Sequence, residues 1–388
     1  MQEDFHYYAT YCAAYLAGCG HEESLAICYS DQFVDLCSRT LLASLKAPRA
    51  AAPTQLQLEL MDARTDVVGL QAITRIWASF HFLPRDLYAE RPKCSRRYLN
   101  KYRLICGPNG DLLVDTVKLA KGKGPQATGL AMHVLADTWA HTNFAGTPSL
   151  VINNTNSCFY ELIPDGDGFS ERPVAFRHKA AAPDDLECGA YTSSIFQFNE
   201  NSIMNLGHGR AGHMPDYSFI RYRFLPAWGD YREIVKDNPA DYERAFRQMV
   251  YAMRYLRGAE DDFEKETYDE ERVAPYIEEI REILNKRQLD ACKDWKAFGE
   301  KLSGCEIADF DLTRYQQEYL DARPEEKNDT FIGKFILAAL AQKSMVTNKI
   351  FRSGNLCAGF SVDFGEKGFR GMRDYRMLVK KEQEEMRK

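Results

Sequence analysis

The chain has 388 residues, 45% apolar and 27% charged, an ordinary globular composition with enough length for one large domain or two. A formal net charge of −6 argues against a loose coating of nucleic acid, which needs a basic surface, and no apolar run reaches the length of a membrane span. Eleven cysteines are scattered with no CxxC pair, and the N-terminus MQEDFHYY lacks a basic flank and an apolar signal core, so the expectation is a cytoplasmic protein with reduced, mostly buried thiols.

In chain order, residues 4–18 read as an Ala- and Tyr-rich helix stopped at Gly18. Residues 21–45 repeat apolar side chains at helical spacing, 47–55 are a break, and 56–84 are mostly helical up to Pro84. A polar, basic stretch over 85–110 ends in the turn GPNG, a short helix follows over 111–124, and Pro125 suits the first turn of the next helix. Between Gly146 and Asn238 helical periodicity fails, and Pro, Gly, Asn, Asp and aromatics dominate, which reads as a long loop region or lid. Helices resume over 239–258, 272–288, 291–302, 310–322 and 328–354, and the charged tail 372–388 reads as a solvated helix or frayed end. The fold expected is all-α: a metal-binding helical core over 1–238 with an irregular insertion over 146–238, and C-terminal helices over 239–388 packing on that core.

The helix opened by Pro125 carries His133, Asp137 and His141 in AMHVLADTWAH, in a chain with only eight histidines. Steps of four leave a net rotation of about 40° each, so the three share an arc of about 80° and rise about 12 Å. That is too spread for one ion, but His133 and Asp137 can meet at one metal while Asp137 and His141 lean to another, with Asp137 bridging. Two-metal sites of this kind clamp phosphoryl groups with ions about 3.5–4 Å apart. A single His on an apolar face is usually a satisfied core residue; two of them flanking a carboxylate that needs partners are less easily dismissed. His6 in the first helix, His81 in SFHFLP, and His208 and His213 in NLGHGRAGHMPD add further donors, as do Asp31 and Asp35 one turn apart in SDQFVD. His21 and His178 read as surface residues beside charged neighbours, and Asp62 and Asp66 as helix-surface carboxylates. GKGPQATG lacks the ending of a phosphate loop, and no GxSxG elbow occurs.

The HxxxDxxxHxNF pattern of His133, Asp137, His141, Asn143 and Phe144 resembles the signature helix of the zinc-dependent phospholipase C family, whose all-helical superfamily also holds single-strand-specific nucleases. The resemblance covers about the first 230 residues. It implies metal ligation by His6, Asp35, His81, His133, Asp137 and His141, completed by His208, His213 and Asp216. The chain departs from the secreted enzymes in three ways. It begins MQEDFH where they ligate zinc through a processed terminal amine. Its second His follows Asp137 by four residues rather than six. It also lacks a later His-x-x-x-Glu. The implied cofactor is two or three zinc ions. The implied activity is hydrolysis of a phosphate ester, with Asp35, or else Asp31, orienting the attacking water and with Arg210, Arg221 or Arg223 pairing with phosphate oxygens. A nuclease of the same superfamily and a non-catalytic protein whose helices are stapled by metal are the alternatives; net acidity weighs against nucleic acid as the partner.

Overall fold

The computed structural model describes residues 1–56, 67–155, 158–178, 186–193 and 206–359. Asp62, Asp66 and the charged tail 372–388 lie outside the described residues.

A π-helical turn over Asp4–Ala9 runs into α1 (Thr10–Leu16), followed by α2 (His21–Phe33) and α3 (Arg39–Ser44). Next come α4 (Val67–Phe80), α5 (Arg96–Tyr102), α6 (Asp111–Ala120), α7 (Pro125–Ala140) and the single turn α8 (Leu150–Asn153). The single helix expected over 21–45 is two, because the chain turns after Phe33 and Ser38 then caps α3 by accepting the Leu41 N–H at 3.2 Å. That turn carries Asp35 out of α2, whereas Asp31 stays in its last turn.

The all-α expectation is overturned. The fold is about 53% helical with 8% strand, and the strands form a four-stranded antiparallel sheet inside the stretch read as irregular. Strands β1 (Tyr160–Asp165) and β2 (Gly168–Pro173) make a hairpin; β3 (Arg177–His178), a short helix α9 (Leu186–Ala190) and β4 (Thr192–Ser193) follow; β5 (Arg221–Phe224) and β6 (Ile234–Asp237) complete the sheet in the order β2-β1-β5-β6. The hairpin closes with Asp165 opposite Gly168 around Gly166, which sits at φ 58°, as a two-residue loop with glycine at its first central position demands. Strand β5 alternates, burying Tyr222 and Phe224 against Phe82, Phe144 and Phe159 in a second apolar cluster. The strands were illegible as strands because they are only four to six residues long and carry Arg and Glu on their outer face.

After β6 the chain enters α10 (Asn238–Leu256) directly, then α11 (Glu270–Val273), α12 (Ile277–Asn285), α13 (Cys292–Ser303), α14 (Gln316–Asp321) and α15 (Phe331–Arg352). Pro275 sits in a 3-10 turn that divides the helix expected over 272–288. Helix α7 is apolar on nearly every side and is the central element, packed against α2, α6, α10 and α15. One apolar core runs from Met1 to Ala358, so the C-terminal helices share it with the N-terminal ones. No helix among the described residues is long and apolar enough to cross a membrane.

Candidate metal centre

His133 and Asp137 lie within α7, but His141 is its C-cap, at φ −88° and ψ 14°. Its N–H still donates to the Asp137 carbonyl at 2.9 Å, while the changed backbone swings the ring away from the helix axis. The helix end is held from outside: the buried Lys236 ammonium of β6 donates to the Trp139 carbonyl at 2.8 Å and to Asp241 Oδ2 at 2.5 Å.

Around this helix the fold gathers seven further histidine and aspartate side chains: His6, Asp31, Asp35, His81, His208, His213 and Asp216. Among the described residues three groups of donor atoms are compact enough to hold an ion: Asp35, His81 and His133; His141, His208 and Asp216; and the fully buried His6, Asp31 and His133. Asp137 closes the first group, with Oδ2 3.2 Å from both His81 Nδ1 and His133 Nε2. Its other oxygen, Oδ1, lies 3.3 Å from His6 Nε2 and accepts from the Met1 amino group at 3.0 Å. In the second group Asp216 Oδ1 is 3.2 Å from His141 Nε2 and 3.4 Å from His208 Nε2, and the Met1 amine reaches it at 3.4 Å. Asp137 thus meets His81 and His133 through one oxygen and His6 and the Met1 amine through the other, and that amine also reaches Asp216.

Which ring nitrogen faces inward is fixed by what the other one meets. His81 Nε2 faces the Thr54 carbonyl at 3.0 Å, His141 Nδ1 the His81 carbonyl at 2.7 Å, and His208 Nδ1 the Gly212 carbonyl at 2.7 Å. A carbonyl only accepts, so each of these nitrogens carries a proton, and the opposite nitrogen is the one that faces the carboxylates. Gly212 can offer that carbonyl because it sits at φ 56°, where a Cβ would strike the Thr192 carbonyl oxygen at 2.4 Å. His133 Nδ1 donates to Asp31 Oδ1 at 3.1 Å in the same manner. Metal-binding histidines are oriented in this way, through a second hydrogen bond to a carbonyl or carboxylate. His6 is fully buried and its two ring nitrogens find no well-aligned hydrogen-bond partner, although Asp31 and Asp137 oxygens stand 2.8 and 3.3 Å away. A buried, orphaned imidazole among carboxylates is what a missing cation leaves behind. The donor set of imidazoles and carboxylates therefore fits a divalent metal.

The electrostatics agree. Burial alone would lower the pKa of the Met1 amine, but Asp137, Asp216 and Asp35 outweigh it and hold it at about 11. His133 is likewise disfavoured as a cation by burial yet raised to about 10 by Asp137 and Asp35. Burial pushes the other way on Asp137 and Asp216, but their cationic neighbours keep both carboxyls well below the usual range. Burial dominates at His141, whose pKa falls to about 4. The carboxylates thus draw positive charge from protons and from the chain terminus, the charge a divalent ion would supply instead.

Asp35 keeps 25% of its side chain exposed, His208 15% and His213 42%, so the cluster opens to solvent on that side. His213 stands at the rim, its Nδ1 3.1 Å from Asp216 Oδ2. Asp31 is fully buried, with its oxygens facing Thr10, His6 and His133. The arginines divide. Arg210 follows His208 in a 3-10 turn, whereas Arg221 pairs with Asp237 at 3.0 Å and Arg223 with Glu171 and Glu233 on the outer face of the sheet, away from the cluster. Those two are thus engaged in ion pairs with carboxylates of the sheet. His21 accepts or donates at Tyr11 Oη, 2.7 Å away, and takes no part in the site. Sequence reasoning missed the Met1 amine, Thr10, the Thr54 carbonyl and Gly129. Only Gly129 left a signal: it precedes His133 by four residues and so extends the His133, Asp137, His141 row toward α2.

The chain belongs to the family described as "Family of unknown function (DUF6765)", which it matches over residues 1–350. No curated protein and no solved structure matches it.

Proposed function

We propose that this chain is a zinc-dependent hydrolase of phosphate esters. The observation that carries the reading is the set of inward-facing imidazole nitrogens, whose opposite ring nitrogens are taken up by backbone carbonyls or by Asp31, around Asp35, Asp137 and Asp216. The first position is held by Asp35, His81, His133 and Asp137, the second by His141, His208 and Asp216, and His6 with Asp137 Oδ1 offers a third. The order of these ligands along the chain supports the resemblance to the zinc-dependent phospholipase C and nuclease superfamily. Zinc, when bound, supplies Lewis-acid polarisation of phosphoryl oxygens and brings a water toward neutrality in pKa. Asp35 is the solvent-accessible carboxylate of the first group and would orient that water; Asp137 and Asp216 hold the positive charge in place; Arg210, beside His208, would pair with a phosphate oxygen. The open side at Asp35 and His213 favours catalysis over a purely structural staple, which needs no access.

Elemental analysis of untagged protein after zinc-supplemented expression comes first, followed by a panel of phospholipid, nucleic-acid and small mono- and diester substrates. Asp35→Asn should lower turnover roughly a hundredfold or more. Metal-replete protein inert on the whole panel would transfer the site to the structural reading, and less than about one metal per chain would remove the metal reading itself.

A further inference from the structure

The rings of His6 and His133 are stacked, with centroids 3.9 Å apart and planes within 20°. This pair stands between two carboxylates. On the Nε2 side Asp137 gives one oxygen to each ring, Oδ1 at 3.3 Å from His6 and Oδ2 at 3.2 Å from His133. On the Nδ1 side Asp31 gives the same oxygen to both, Oδ1 at 2.8 Å from His6 and 3.1 Å from His133. Either side offers two imidazole nitrogens and a carboxylate, so the stacked pair alone does not say which side takes metal.

The surroundings decide. On the Asp137 side His81 Nδ1, Asp35 and the Met1 amine converge, and Asp35 leads to solvent. Among the described residues the Asp31 side has no fourth ligand. The remaining oxygen, Oδ2, accepts from the Thr10 hydroxyl at 2.7 Å, and the space behind is closed by α7 lying directly on the α2 backbone at Gly129. Every group on the Asp31 side is fully buried, whereas the Asp137 side includes the part-exposed Asp35. Zinc needs about four donors and a way in.

We propose that Asp31 is a positioning residue and not a ligand: one buried carboxylate, hydrogen-bonded to His133 Nδ1 and in charge contact with His6 Nδ1 at 2.8 Å, draws the proton of each ring to that side and so leaves both Nε2 atoms facing the metals. This rests on the metal reading above. Because His6 and His133 serve different positions, Asp31 ties those two positions together, while the His141, His208 and Asp216 position has no contact with it.

The test uses the full chain. In crystals of zinc-loaded wild-type protein, anomalous maps should place zinc about 2.1 Å from Nε2 of both His6 and His133 and none in contact with Asp31. Asp31→Asn keeps the shape and an accepting oxygen, and Thr10 can turn its hydroxyl to accept from the new amide. Zinc competition with a chromogenic chelator should then find full stoichiometry, with affinity lowered 10- to 100-fold at the two positions served by His6 and His133 and unchanged at the third. A merely structural role would weaken all positions alike. Zinc bonded to Asp31, loss of a whole equivalent in Asp31→Asn, equal weakening everywhere, or unaltered binding would each overturn the proposal. The crystal measurement needs no variant, so it stands if Asp31→Asn does not fold. Wild-type protein that binds no zinc would overturn the metal reading instead, and this proposal with it.

Discussion

Substituting Gly129 by alanine tests the contact on which the site is built. An added Cβ would lie 2.2 Å from the Ile27 carbonyl oxygen, 2.7 Å from Ser30 Cβ and 2.8 Å from the Asp31 backbone nitrogen. Ordinary contact begins near 3.5 Å, so α2 and α7 must part by about 1 Å. The opposing atoms are mostly backbone and cannot rotate aside. Alanine gains about 1 kcal/mol over glycine in helix propensity, while overpacking at a rigid contact costs up to about 3 kcal/mol, leaving a net loss of about 2 kcal/mol. The same 1 Å takes the 3.1 Å hydrogen bond from His133 to Asp31 out of range. Urea unfolding of the metal-free protein should show the lost stability, and zinc titration of the folded variant an affinity lowered about tenfold or more. A variant more stable than wild type, with unaltered zinc affinity, would show that propensity governs this position and that the helices are not in the contact described.

Asp137→Asn should lower zinc content by more than one ion and lower thermal stability with it, because each oxygen serves a different histidine; Asp216→Asn should cost one ion, and mass-spectrometric metal counting separates the two. Chelation of wild-type protein should lower its melting temperature, and zinc at a thousand times its dissociation constant should restore about 4 kcal/mol. Lys236→Met should destabilise by about 2 kcal/mol in chemical denaturation, since it strips the Trp139 carbonyl and leaves Asp241 with Arg244 alone, at 3.4 Å; a neutral result would remove Lys236 as the clamp on α7. Lys343 is held down to about 8 from the usual 10.5, first by burial and then by Arg75 and Arg39. Between those two pH values the unfolded chain binds more protons, so wild-type stability should rise with pH across that window, and Lys343→Met should gain about 1–2 kcal/mol at pH 7, shrinking toward pH 10. Parallel unfolding curves at pH 7 and 9.5 check it.

The row His133, Asp137, His141 was legible because helix geometry converts a spacing of four into a shared face. Its final member was placed less well, since nothing local announces that the helix ends at Ala140 and that His141 turns toward Asp216. Asp31 and Asp35 look alike in SDQFVD, one turn apart among apolar neighbours. Only the end of α2 at Phe33 separates them, leaving one facing α7 and the other facing solvent. The acceptors that fix the histidine tautomers were out of reach of sequence reading because three of them are backbone carbonyls, which every residue possesses. The sheet was missed for a different reason. Helical periodicity was the yardstick, and DGDG between YELIP and FSERP is a hairpin signal only when alternation is sought.

The His6 segment packs against α2 and the His133 ring, and it is braced as well by residues from much later in the chain. Phe5 packs edge-on against Tyr242 and Trp295, the Ala291 N–H donates to Asp4 at 3.2 Å, and the Tyr7 hydroxyl donates to the Ala308 carbonyl, 301 positions later. On the ribosome, the residues around His81 and His133 are all made once position 141 has emerged, yet the struts that seat His6 do not exist until some 170 further residues have followed. Such distant pairings are slow to form, so the His6 segment, although made before the rest of the site, is among the last parts to be locked in place. A fragment ending near Asn238 would contain every histidine and aspartate of the site and still lack what holds His6 in it.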